Sequence, residues 1–189
     1  MAYASYAVVY RLREATRDDL PTLKGLIARS AHELSAGLYT PEQVEGALLG
    51  AFGVDTQLIR DGTYYVVEAA GSIVACGGWS FRRTPFGSDD GRERDSAELD
   101  PATDHAKIRA FFVDPAHARK GLGTLLLERC ESEAASRGFV RCEMTATLPG
   151  ERLYAARGYV PTSHISYALR PGLAIEFVLM RKDLPKEVG

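Results

Sequence analysis

A mixed α/β domain, one sheet with helices on both faces, is the fold class this chain predicts. Strand-like and helix-like apolar patterns follow one another in the order β-α-α-β-β-β-α-β-α-β-β, which makes seven strands. No internal repeat and no linker interrupts that order. The length, 189 residues, suits one domain or one domain with an extended insertion. Strands interleaved with amphipathic helices bury both sheet faces most simply in that layered form.

The elements follow in chain order. A strand over Val8 to Glu14 runs into a helix, with Asp18 as N-cap and Pro21 in the first turn, where its missing N–H costs nothing. Leu20, Leu23, Ile27, Ala31 and Leu34 mark that helix's buried face. Thr40-Pro41-Glu42-Gln43 reads as a capping box opening a second helix. Strands Thr63 to Ala69 and Ser72 to Ser80 join at Ala70-Gly71 as a tight hairpin. Gly77-Gly78 in the second of them lets a neighbour approach the backbone closely. From Arg82 to His105 periodicity dissolves, so 82–105 reads as an irregular insertion, either a lid or a disordered loop. A strand from Lys107 to Val113 precedes a helix over Gly121 to Arg137 that ends at Gly138. A strand from Val140 to Thr145 and a short helix from Pro149 to Arg157 come next. Two final strands, Tyr159 to Leu169 and Leu173 to Arg181, turn at Pro171-Gly172.

Composition narrows the function classes. A net charge of −2 lacks the basic bias of a nucleic-acid platform. Cys76, Cys130 and Cys142 have no metal-ligand or C-x-x-C spacing and read as reduced, buried thiols of a cytoplasmic protein. The four histidines are scattered without ligand spacing, so no metal is expected. Met1 to Tyr10 does not read as a signal peptide, and no apolar run reaches membrane-spanning length.

One stretch carries chemistry. Phe111-Phe112-Val113 leads into Asp114-Pro115, the basic pair Arg119-Lys120, and Gly121-Leu122-Gly123-Thr124 at a helix start. Such a turn directs several backbone N–H groups and the positive end of a helix dipole at one point, which suits a phosphate. A Rossmann site would want glycine at position 126, which is Leu126, and no P-loop lysine motif occurs.

With Ala146-Thr147-Leu148-Pro149-Gly150-Glu151-Arg152-Leu153-Tyr154-Ala155-Ala156-Arg157-Gly158-Tyr159 in the right place downstream, nearly the whole chain resembles, in element order, the GNAT acetyltransferase superfamily. The resemblance implies a single GNAT-like domain over 1–189, with a mostly antiparallel seven-stranded sheet splayed between the strands at 107–113 and 140–145. It implies acetyl-CoA as cosubstrate, with the pantetheine arm in the splay. Phe111, Phe112 and Val113 would meet the acyl and pantetheine end through their main chain. Amides from Arg119, Lys120, Gly121, Leu122, Gly123 and Thr124 would cup the diphosphate. Ala118 stands where the family often has Arg or Gln. Tyr154 occupies the position of the family's catalytic tyrosine, the general acid toward the CoA sulfur.

Acetyl transfer to an amine by direct attack is the function so implied; the alternative is a catalytically silent CoA-binding sensor or scaffold. The general base stays open among Glu68, Glu143, His164 and a water relay, because Arg109 stands where many relatives carry a glutamate. For the acceptor, a small-molecule or protein amine, the candidate contacts are His32, Tyr39, Trp79, Glu143 and His164, with packing the competing role for His32, Tyr39 and Trp79. A homodimer through the two C-terminal strands is a further expectation.

Overall fold

The computed structural model describes residues 8–84 and 96–185. Its strands are β1 (Tyr10–Glu14), β2 (Tyr64–Ala69), β3 (Ser72–Ser80), β4 (Ala106–Val113), β5 (Arg141–Thr147), β6 (Val160–Arg170) and β7 (Leu173–Asp183). The helices are α1 (Leu20–Leu34), α2 (Pro41–Leu48), α3 (Thr56–Arg60), α4 (Leu122–Ser136) and α5 (Glu151–Ala155). All seven strands join one sheet in the order β1-β2-β3-β4-β5-β7-β6. Every neighbouring pair is antiparallel except β4 and β5.

Two cores sandwich this sheet. On one face Leu122, Leu126, Leu127, Cys130 and Ala134 of α4 pack with Trp79, Ile108, Met144 and Met180. On the other, Leu23, Leu26 and Ile27 of α1, Val44 and Ala47 of α2 and Leu58 of α3 pack with Tyr64, Val66, Ile175 and Phe177. The alternation of inward residues along each strand is what divides them between these layers.

Local chemistry explains the boundaries. The Thr40–Gln43 capping box forms as expected, Gln43 N–H donating to Thr40 Oγ1 at 3.2 Å and Gln43 Oε1 accepting from Thr40 N–H at 2.9 Å. The start of α1 differs from the expected Asp18 cap. Asp19 accepts from Thr16 N–H at 2.7 Å and from Arg13, and a short 3-10 turn over Arg17–Asp19 precedes the helix. Asp19 thus reaches back to Thr16, the N-cap of that turn, and its carboxylate gains a cation as well as the amide. The five-residue α3 is an unexpected element, capped by Asp55, whose Oδ1 accepts from Gln57 N–H at 3.0 Å. Of the irregular segment, residues 85–95 lie outside the described residues. Its ends are anchored by Arg83 N–H to Ala97 O at 3.0 Å and Leu99 N–H to Phe81 O at 2.8 Å.

Candidate active site

The parallel pair β4/β5 keeps register only through Ala106↔Cys142, Lys107↔Glu143 and Ile108↔Met144. Beyond Ile108 and Met144 the two strands run on without pairing, and an open cleft lies there. A β-bulge prepares its wall. Between the register pairs Gly78↔Arg109 and Cys76↔Phe112, β3 has one residue and β4 has two, Ala110 and Phe111. Ala110 takes up the extra length with φ at +57°, a conformation that costs an L-residue about 1–2 kcal/mol. The bulge also resets the alternation, so Ile108, Phe111 and Val113 join the α4 core while Ala110 and Phe112 join the α1 core. Gly77 makes this possible, since a Cβ there would fall 2.7 Å from the Phe111 ring.

Ala110 and Phe111 have no register partner in either neighbouring strand. The Ala110 carbonyl accepts from the Tyr64 hydroxyl at 3.4 Å. Val113 N–H, expected to face a pantetheine arm, instead donates to Ser30 Oγ of α1 at 3.2 Å.

The turn after β4 holds its shape through Asp114, which caps Ala116 N–H at 3.0 Å, and His117 N–H to Asp114 O at 2.8 Å. Arg119 and Gly121 follow with φ at +62° and +82°. Main-chain N–H groups from Arg119 through Thr124 have no hydrogen-bond partner among the described residues. These are the donors an anion at the start of the 15-residue α4 would use. The Leu122 side chain turns into the core, and Lys120 Nζ donates to Ala116 O at 2.8 Å.

Tyr154 of α5 lines the cleft beside Phe111, the two rings meeting edge to face at 6.2 Å. Its hydroxyl has no hydrogen-bond partner among the described residues, and burial holds the phenol well above its usual pKa. The opposite wall brings Ala51, Phe52 and Gly53 from the α2–α3 turn against Phe112 and Phe177. Phe52 meets Phe112 at 5.9 Å and Phe177 at 6.2 Å between ring centroids. Arg109 lies in the floor, its Nη2 2.7 Å from Asp55 Oδ2 and its Nη1 donating to Thr84 O at 3.3 Å.

The five residues named from sequence as acceptor contacts are all absent from the cleft lining. Tyr39 is a tie: its hydroxyl donates to Glu176 O at 2.6 Å and accepts from Leu148 N–H at 2.9 Å, and burial pushes its pKa up to about 12. Trp79 is core, packed on Phe81 and Phe139. His32 stands half-exposed at α1, 3.4 Å from Glu45. His164 points to solvent from the edge strand β6, where alternation puts Ile165 and Tyr167 inward. Glu143 is held by Lys107 and by Arg181 Nε at 3.0 Å. Burial alone would raise its pKa, but the hydrogen bonds and charge of Lys107 and Arg181 prevail and lower it. Phe52, Asp55 and Phe177, by contrast, were not anticipated. Asp55 carried a signal, an acid just ahead of Thr56 in cap position; the two phenylalanines reach the site only through tertiary packing.

Residues 31–159 match the family model described as Acetyltransferase (GNAT) family. The chain belongs to the GNAT acetyltransferase family. No curated protein matches the sequence. Solved structures share the GNAT fold across nearly the whole chain. A GCN5-related N-acetyltransferase from Rhodopseudomonas palustris is 19% identical with a TM-score of 0.69, covering 96% of this chain and 100% of that one. The PaiA N-acetyltransferase from Thermoplasma acidophilum, in complex with coenzyme A, is 14% identical with a TM-score of 0.62, covering 93% and 99%. YncA from Salmonella typhimurium, with its cofactor acetyl-CoA, is 17% identical with a TM-score of 0.61, covering 95% and 96%.

Proposed function

We propose that this GNAT protein moves an acetyl group from acetyl-CoA to a primary amine by direct attack, with Tyr154 donating a proton to the departing sulfur. The observation that carries the reading is the presence together of three parts: an unpaired stretch of β4, a run of N–H groups at the start of α4 without partners among the described residues, and a buried phenol beside Phe111. The residues suit the cosubstrate. Amides from Arg119 through Thr124 would hold its diphosphate, and Gly121 keeps that surface free of a side chain. Ala110 and Phe111 offer main-chain groups to the thioester end, where a backbone N–H stabilises a developing oxyanion.

Acetyl-CoA supplies a thioester carbon open to attack. The amine nitrogen forms the new C–N bond, the C–S bond breaks, and the sulfur leaves with the electron pair. Tyr154 gives that sulfur its phenolic proton and is restored by the proton the amine releases through water. An ordinary alkyl ammonium, pKa about 10.4, is short of its neutral form at pH 7 by about 4.6 kcal/mol. No carboxylate or imidazole among the described residues lines the cleft to take that proton. The apolar wall of Phe52, Phe112 and Phe177 supplies the alternative, because desolvation disfavours the charged amine.

The test is release of free thiol from acetyl-CoA with a panel of primary amines. Acceptor-dependent release is expected. Tight acetyl-CoA binding with no release for any amine would overturn catalysis in favour of a silent CoA-binding domain.

A further inference from the structure

The acceptor end of the cleft carries its own selectivity, and the argument for it rests on the transferase reading above. Arg109 is the one charged residue among the described residues that line the cleft. Among the described residues its carboxylate partner, Asp55, is sealed from solvent and lies 2.7 Å from it. Glu143, one strand over, is already neutralised by Lys107 and Arg181. Among the described residues, a polycation entering here would shed its hydration and meet no free carboxylate in the lining, an uncompensated cost of desolvating charge. What the wall does offer is aromatic. Phe52 meets Phe112 and Phe177 edge to face, and the small residues Ala51 and Gly53 line the cleft beside them. Ring edges and faces arranged this way take another ring or a branched alkyl group.

We infer that the acceptor is a primary amine carried on an apolar, ring-sized group, and that Phe52 and Phe177 select it over polyamines and aminoglycosides. The same wall desolvates the ammonium, so selection and activation of the nucleophile coincide. Such an amine occurs free or as the N-terminus of a peptide beginning with an aromatic residue.

The test is calorimetric binding to the full-length protein, with and without CoA, of 2-phenylethylamine, a peptide beginning with phenylalanine, and spermidine. 2-Phenylethylamine or the peptide should bind at least roughly tenfold more tightly than spermidine; whichever of the two binds names the source. Phe52→Leu should weaken that binding by roughly tenfold while CoA affinity holds. Ala51→Glu, which adds a carboxylate to the wall, should reverse the order in favour of spermidine. Spermidine binding as tightly as the aromatic amines to the unaltered protein would overturn the inference, as would no binding of either aromatic amine. Aromatic-amine binding without thiol release would leave this selectivity standing and count against the transferase reading alone.

Discussion

Arg109 and Asp55 form an ion pair closed to solvent, Nη2 to Oδ2 at 2.7 Å, that fastens β4 just before its bulge to the N-terminus of α3. It thereby ties the strand carrying Ala110 and Phe111 to the segment carrying Phe52. Asp55 serves both partners, since its other oxygen caps α3.

Breaking this pair should cost much more than removing it. Asp55→Asn keeps the helix cap but takes a carboxylate at 2.7 Å away from a buried guanidinium, which should lower the unfolding free energy by about 3–5 kcal/mol. Arg109→Met in that background should cost little further, because the charge that Asp55 balanced is gone. Urea unfolding of both single variants and the double variant checks this; additive losses would mean that the two residues are not coupled.

The hairpin between β2 and β3 carries avoidable strain. Ala70 and Gly71 both adopt positive φ, +48° and +79°, the geometry of a two-residue turn that favours Asn-Gly. Replacing Ala70 with Asn should relieve part of the left-handed penalty and raise stability by roughly 0.5–1 kcal/mol. Thermal unfolding measures it, and an unchanged or lower midpoint would contradict the strain argument.

Much of this molecule is legible from local pattern. The Thr40–Gln43 box, the Ala70-Gly71 and Pro171-Gly172 turns and the apolar stripe of α4 are short-range signals, and each element stands within a few residues of its expected bounds. The five-residue α3 is too short to display a helical period and declares itself only through its cap. The cleft divides the same way. Its β4 strand and Tyr154 sit in contiguous motifs, whereas the aromatic wall is assembled from the α2–α3 turn, β4 and β7. No sequence window contains that convergence. Tyr39, a candidate acceptor contact by its place after the first helix, spends its hydroxyl on backbone ties between β7 and the β5–α5 turn.

Gly121 separates conformational strain from ligand clearance. At φ +82° an alanine is strained by about 1–2 kcal/mol, although its Cβ would meet no protein atom within 4 Å. Gly172 has the same combination, φ +77° and open space, at the β6–β7 turn far from α4 in sequence. Both alanine variants should lose similar stability. Only Gly121→Ala should also weaken CoA binding, by tenfold or more on the scale of about 1.4 kcal/mol. Equal CoA affinities by calorimetry would remove Gly121 from the diphosphate cradle.

Glu143 makes the fold acid-sensitive. Its carboxyl titrates below the ordinary value of 4.5 because Lys107 and Arg181 overcome the upward push of burial. A carboxylate with a depressed folded pKa binds fewer protons folded than unfolded, so its contribution is complete above the ordinary value. It is lost as pH falls from 4.5 through the folded pKa. Glu143→Gln should therefore flatten the stability decline below pH 4.5 and lower stability at pH 7. Denaturant titrations at both ends of that window check the sign, and an unaltered acid slope would exclude Glu143 as a contributor.

Tyr154 should show its role in turnover rather than in affinity. Burial in the α4 core raises its pKa above the usual 10, so the phenol stays protonated and able to donate at any ordinary assay pH. Removing the hydroxyl in Tyr154→Phe keeps the ring contact with Phe111 but denies the sulfur its proton, for an expected loss of roughly 10²–10⁴-fold in kcat. Acetyl-CoA affinity should change by less than tenfold, a difference of about 1.4 kcal/mol. The pH profile distinguishes an acid from a packing residue. An acid with a raised pKa places its loss of activity above pH 10, so wild-type turnover should not decline between about pH 8 and 10 on its account. Residual turnover of the variant should be limited by thiolate departure, so acyl donors with a more acidic thiol should recover much of the lost rate. Wild-type kcat in Tyr154→Phe, or no recovery with the better leaving group, would reduce Tyr154 to a packing residue.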